Sequence, residues 1–353
     1  MSHKATKPQS YKQQEKKVSV IIPVKRINDY LRRETIPALL KQTYQNFEVI
    51  ILPDRASKER FPKTKIVPTW PKTGPADKRD IGAKKAKGEI LAFLDDDAYP
   101  DKDWLKNAIE IFYPPIADHR APIAAVCGPT LTPPHNNFRQ KASGYVWSTW
   151  LGSGGAGTYR CAVGPRREVD DYPTVNFLVR KKDFWAMSGF DSHFWPGEDT
   201  KLCHDLVYKL GKKIIYDPEV LVYHHRREVF GPHLKQIARY ALHRGHFARI
   251  LPETSRRLGY FVPTFFVFGL FGGPVLIFSL ELFSLCAISI PLFLLYLGAI
   301  LVYLFLLLIT GFRVYLKEKN YQLALLVIPA IFFTHLVYGI LFVKGFFASQ
   351  LDR

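Results

Sequence analysis

Three consecutive carboxylates, Asp95, Asp96 and Asp97, close the apolar run ILAFL at 90–94, and a second acidic pair, Glu198–Asp199 in WPGEDTKL, follows about one hundred residues later. Carboxylates at the end of a buried strand commonly hold a divalent ion, and one in a cleft can act as a base. Beyond Tyr260 the chain becomes membrane-like. These features predict chemistry on an anionic, metal-bound substrate beside a lipid bilayer.

The elements that must position these groups alternate between strand and helix. Apolar strands are expected at Val18–Pro23, Phe47–Leu52, Lys65–Val67 and Ile90–Leu94, with helical periodicity over Asp29–Gln42 and Ala76–Lys87. Such alternation is the mark of a parallel α/β sheet. Sites in these sheets gather at the carboxyl ends of the strands, where Pro23, Asp54 and Asp95–Asp97 all fall. A later strand, Glu219–Tyr223, leads into His224 and His225. Adjacent strand residues face opposite sides, so at most one of the two histidines should enter the site. Asp199 precedes an expected helix, Thr200–Leu210, which it is also suited to cap. The segment WLGSGGAGTYR has four glycines between 152 and 157. That composition suits a mobile lid, or a backbone at Gly154 and Gly155 that approaches an acceptor closely, with Trp147 and Trp150 as core or sugar-stacking surfaces.

Tyr260–Leu280 and Leu282–Ile309 contain no charged residue, and Leu323–Val343 carries only His335. Each is long enough to cross roughly 30 Å of hydrocarbon, giving three expected spans over 260–353. The tail 1–16 is basic and polar, with no apolar core of a signal peptide. Lys and Arg crowd 233–259, read as basic amphipathic interfacial helices, and Arg313, Lys317 and Lys319 fall in the second loop. This bias places the catalytic part in the cytosol and the protein in the cell membrane as a multi-pass chain. A net charge of +18 is compatible with nucleic-acid binding, yet no basic recognition module or aromatic stacking platform repeats. Anionic headgroups and a nucleotide diphosphate explain it better. The four cysteines share no metal-ligand spacing and are expected to stay reduced.

VSVIIPV at 18–24, KRDIGAKKAKGEILAFLDDDAYP at 78–100 and NFLVRKKDFWAMSGFDSHFWPGEDTKL at 176–202 together resemble the family 2 glycosyltransferases of the GT-A fold. VYHHRR at 222–227 and QIARY at 236–240 extend the likeness, the latter similar to a QxxRW signature. The resemblance implies a Rossmann-like GT-A domain over 17–232, followed by an all-α transmembrane region. It implies a metal, Mn2+ or Mg2+, held by Asp97 and Asp95 with His224, and a nucleotide sugar bound by Pro23, Asp54, Asp95 and Asp96. Lys78, Arg79 and Arg239 would contact the diphosphate. Asp199 would be the base, with Glu198 orienting it or the acceptor, and Gly154, Gly155 and Trp150 on the acceptor side. In ILPDRAS a proline replaces the first of two acids common after the second strand, which leaves the nucleotide base open. The activity so implied is inverting, metal-dependent transfer of a sugar to a lipid-linked or glycan acceptor at the cytoplasmic face. The alternatives are a processive polysaccharide synthase and a catalytically silent scaffold.

Overall fold

The computed structural model describes residues 16–70, 73–114, 122–155, 157–283 and 285–350. Apart from Lys16, the expected basic tail lies outside them. The described residues form eleven strands: β1 (Val18–Pro23), β2 (Phe47–Leu52), β3 (Thr64–Ile66), β4 (Ile90–Leu94), β5 (Ala98–Pro100), β6 (Ile123–Cys127), β7 (Thr130–Leu131), β8 (Arg167–Val169), β9 (Asn176–Arg180), β10 (Lys213–Tyr216) and β11 (Val222–His224). Eight of them make one sheet in the order β3-β2-β1-β4-β9-β6-β10-β8. Its centre is apolar on both faces. Every residue of β1 and β4 is buried, because helices cover the sheet on each side.

The sheet is mixed rather than purely parallel. β1 runs parallel to β2 and β4, but β9 lies antiparallel between β4 and β6. The reversal follows from the chain's route: NFLVR enters the sheet from the side on which β4 ends, pairing Asn176 with Leu94. β9 runs to the opposite edge at Arg180, and the helix Lys181–Ala186 that follows starts the return that sets Glu198 and Asp95 on the same arginine, Arg79. A second sheet, β5-β11-β7, sits at the edge where β4 ends. Its central strand begins at Val222 and includes His224, three residues later than the sequence predicts. Register pairs His224 with Ala98, one residue past Asp97.

The three C-terminal helices are Leu258–Leu282, Cys286–Glu318 and Tyr321–Phe347, all long and apolar enough to cross a membrane. Phe268, Phe271, Leu295, Leu304, Phe305 and Leu308 point outward, a pattern that matches a lipid solvent rather than water. Before them comes one 20-residue helix, Gly231–Ile250, and a short turn, Pro252–Ser255. The long helix does not float on a surface. It lies along the third apolar helix, with Ile237, Ala241, Gly245 and Ala248 buried. His233 Nε2 reaches Thr334 Oγ1 at 3.0 Å across this contact. Two glycines set the distance: a Cβ on Gly245 would fall 2.1 Å from the Phe342 carbonyl, and one on Gly345 would fall 2.0 Å from that of Leu242. Lys141 and the Tyr145 hydroxyl hold Glu318 at the end of the second apolar helix, at 3.0 and 2.7 Å.

Gly245→Val should therefore force the two helices apart and destabilise the protein by about 1–3 kcal/mol, the usual cost of overpacking. Gly269→Val, where nothing lies within 4 Å, should be nearly silent. Thermal unfolding in the same detergent distinguishes the two.

Candidate active site

The crevice opens where β1, β2 and β4 end. Lys78 and Arg79 are consecutive on the helix Pro75–Lys85, so their side chains leave it about 100° apart and reach different acids. Lys78 is 3% exposed, donates to the Val24 carbonyl at 2.6 Å and pairs with Asp54. Arg79 bridges two acidic groups, donating through Nη2 to Asp95 at 2.9 Å and through Nη1 to Glu198 at 3.0 Å. Both cations thus hold protein carboxylates at the crevice where the diphosphate is expected. Pro23 is buried at the floor, beside Val24.

The three aspartates of the loop divide. Asp95 is held by Arg79. Asp96 accepts from Asn28 Nδ2 at 2.6 Å, and burial, with the Asp97 and Asp95 charges, pushes its carboxyl up to about 7. Asp97 faces His224 Nε2 at 3.1 Å. Burial works to raise it, but the imidazole and nearby backbone N–H groups outweigh that and hold it below the usual range. Oxygens of Asp95 and Asp97 and a nitrogen of His224 lie within 4.8 Å of one another. Two carboxylates and an imidazole form a donor set suited to Mn2+ or Mg2+.

The second acidic pair starts the helix Glu198–His204. Gly197 is its cap, so Asp199 lies inside the first turn and does not cap the helix, contrary to that reading of the sequence. The two acids differ in surroundings. Glu198 is 4% exposed and accepts from Arg79 and from the Gly197 N–H. Among the described residues, Asp199 accepts only from the Thr200 N–H, and it lines a cavity of about 200 Å³. Burial, then the negative charges of Glu198 and Asp171, raise its carboxyl to about 7.

This cavity runs from Asp199 and His224 past Trp147 and Tyr240 to Tyr260 and Tyr338 on the apolar helices. Its wall carries an ion cluster with no obvious signature in the sequence. Asp171 takes Arg160 and Arg244, each at 2.9 Å, and the Thr200 hydroxyl at 2.8 Å. Burial would raise Asp171, yet the two guanidinium groups hold it well below the usual carboxylate range. Arg160 Nε, the Tyr260 hydroxyl and the Tyr338 hydroxyl are buried with no hydrogen-bond partner among the described residues. Gly154 lines the cavity with φ +61°, and a Cβ there would sit 2.9 Å from the Gly259 carbonyl, so glycine is needed both for conformation and for clearance. Gly155 follows with φ +71° against the Trp150 ring. Trp150 itself is 69% exposed and turned away, whereas Trp147 enters the cavity. Arg239 is likewise exposed, and its neighbours Gln236 and Tyr240 supply the lining.

The family model for glycosyl transferase family 2 matches residues 19–185. Residues 19–185 form a family 2 glycosyltransferase domain. A Haemophilus influenzae protein named an uncharacterized glycosyltransferase is 41% identical over 92 residues, covering 23% of this chain and 29% of its own length. Glucosyl-dolichyl phosphate glucuronosyltransferase of Haloferax volcanii is 21% identical over 228 residues, covering 59% of this chain and 69% of that protein. The chain spans less than a third of the length of the first curated relatives it matches. Among solved structures, a mannosyltransferase from Pyrobaculum calidifontis, in complex with GDP-Man and Mn2+, aligns with TM-score 0.50 at 17% identity over 93% of this chain and 88% of its own. That likeness is one of fold: a mixed α/β sheet core resembling GT-A glycosyltransferases, followed here by three long apolar helices.

Because Arg79 holds two buried acids together, Arg79→Met should destabilise the protein by about 3–5 kcal/mol, the cost of stranding a buried charge. Adding Glu198→Gln should recover part of the loss. Arg239→Met, at an exposed position, should change stability by less than about 0.5 kcal/mol. Chemical unfolding of the four proteins in one detergent measures all three expectations.

Proposed function

We propose that this protein is an inverting, metal-dependent glycosyltransferase that moves a sugar from a nucleotide-sugar donor to a lipid-linked acceptor at the membrane surface. The observation that carries the reading is the cavity itself, which joins Asp199 to the apolar helices without a break. The donor diphosphate would lie over Asp95 and Asp97, where a divalent ion supplies charge neutralisation for the leaving group. Asp54, held by Lys78, faces the nucleoside side of the crevice. The acceptor enters from the helices. Its hydroxyl gives a proton to Asp199 as its oxygen bonds to the anomeric carbon, while the bond from that carbon to the diphosphate breaks on the opposite face. Glu198, fixed by Arg79, orients the turn that presents the base. A carboxyl near 7 suits the task, since a base works best with a pKa near the operating pH. The Haloferax relative is named for a lipid-linked acceptor, which agrees with an entrance between apolar helices. The active domain would face the cytosol, with the basic groups at Arg313, Lys317 and Lys319 on its side of the membrane.

Asp199 serves only when ionised, so kcat/KM should be level above about pH 7 and fall about tenfold per unit below it. Asp199→Asn should lower the transfer rate by about 10²–10⁴-fold, abolish that acidic limb and leave donor affinity unchanged. Single-turnover rates across pH, with calorimetric donor titration, test this. A normal rate in Asp199→Asn would sink the assignment.

The unpartnered hydroxyls give a separate expectation. Tyr260→Phe and Tyr338→Phe should each raise the acceptor KM by about 2–10-fold, the worth of one hydrogen bond, without altering donor binding or stability. Steady-state assays with acceptor varied at fixed donor read it directly.

A further inference from the structure

On the face of β11 turned away from His224, three groups from distant parts of the chain meet. Glu34 comes from the helical turn Leu31–Thr35, His135 from the loop after β7, and His225 from the residue that follows β11. Glu34 Oε2 lies 3.0 Å from His225 Nε2 and 3.3 Å from His135 Nε2. All three ligand atoms fall within 4.8 Å of one another. A tetrahedral zinc ion with bonds of about 2.0–2.1 Å sets its ligand atoms about 3.3 Å apart, so two of the three separations already have the size of a shared ion. The two imidazole nitrogens close by rotation of His135, whose side chain is 55% exposed.

The groups behind these ligands fit the same reading. If His225 Nε2 gives its lone pair to a cation, Nδ1 keeps the proton and needs an acceptor. Asn136 lies 2.7 Å from that nitrogen, and its Oδ1 is buried without a partner. A half-turn of the amide places this oxygen on the Nδ1–H. Tyr30 stacks on the His225 ring at 4.2 Å between centroids and fixes its plane. The His225 N–H donates to the Asp97 carbonyl at 3.0 Å, so the cluster is coupled to the donor crevice through one peptide.

We propose that Glu34, His135 and His225 bind a second divalent cation of the zinc class, which ties the turn after β1 to the sheet β5-β11-β7 behind Asp97. Two imidazoles and a carboxylate leave a fourth position for water, and imidazole selects this class over Mg2+. The site braces the fold and takes no part in the transfer chemistry.

The test is zinc binding by the full chain in detergent, measured by competition with a chromophoric chelator in excess Mg2+. With the donor-side ligands disabled by Asp97→Asn and His224→Ala, one zinc per chain should remain. Adding His135→Ala, or Glu34→Gln, should remove it. Because His135 is exposed, its loss leaves the packed core unchanged, and Co2+ absorption provides a second readout that should vanish with the same substitutions. Zinc retained after His135→Ala, or lost with Asp97→Asn and His224→Ala alone, would overturn the assignment.

Discussion

Seven acids, Asp54, Asp95, Asp96, Asp97, Asp171, Glu198 and Asp199, surround one crevice and its cavity, and the fold depends on how their mutual repulsion is met. Two like charges 4 Å apart repel by about 4 kcal/mol at an effective dielectric of 20, so this many could not stay ionised together without cations. The chain supplies them selectively. Lys78 answers Asp54, Arg79 answers Asp95 and Glu198, and Arg160 with Arg244 answers Asp171. Among the described residues, no Lys or Arg salt bridge reaches Asp96, Asp97 or Asp199. Of these, Asp97 and Asp199 face the proposed metal and acceptor, while Asp96 is held by Asn28. Structure and proposed chemistry are thus two outcomes of one distribution of charge.

The apolar helices do more than anchor. Helix Gly231–Ile250 carries Gln236 and Tyr240 into the cavity on one side and packs on the third apolar helix through Gly245 on another. Tyr260, Thr334, His335 and Tyr338 then complete the cavity from the apolar side. Arg244 belongs to both parts: it pairs with Asp171 of the sheet domain and lies over the Tyr260 ring at 4.6 Å. A shift between domain and helices would move the proposed base relative to its acceptor route.

The sequence made legible whatever rests on local pattern. β1, β2 and β4 follow from unbroken apolar runs, and the three long helices from the lack of charge. The acids at 95–97 and 198–199 stand out because a buried strand or a proline-glycine turn delivers them. Long-range pairing was not legible. Nothing local tells that Arg79 will bridge Asp95 to Glu198, 119 positions away, or that β9 will enter antiparallel. Asp171 in VDDYP and Arg160 in TYRC look like ordinary surface charges until burial brings them together. The exposure of Trp150 and Arg239 was not legible either: helical spacing fixes which neighbours share a face, but not which face a second body covers.

Buried polar groups without partners usually cost about 1–3 kcal/mol each, so a native fold keeps few of them. Among the described residues six such atoms occur, and three of them, Arg160 Nε and the hydroxyls of Tyr260 and Tyr338, belong to residues that line one cavity. Asp171 carries one negative charge against the two of Arg160 and Arg244, so this cluster stays net positive and favours a partner that also brings an anionic group. Hydroxyl-rich groups, such as a sugar on a lipid carrier, offer acceptors and donors in the number these orphans require. An apolar chain alone would leave them unsatisfied. On the proposed reading, the head of the acceptor would lie at the Tyr260–Tyr338 level with its tail among the helices, in the cavity that Asp199 also lines.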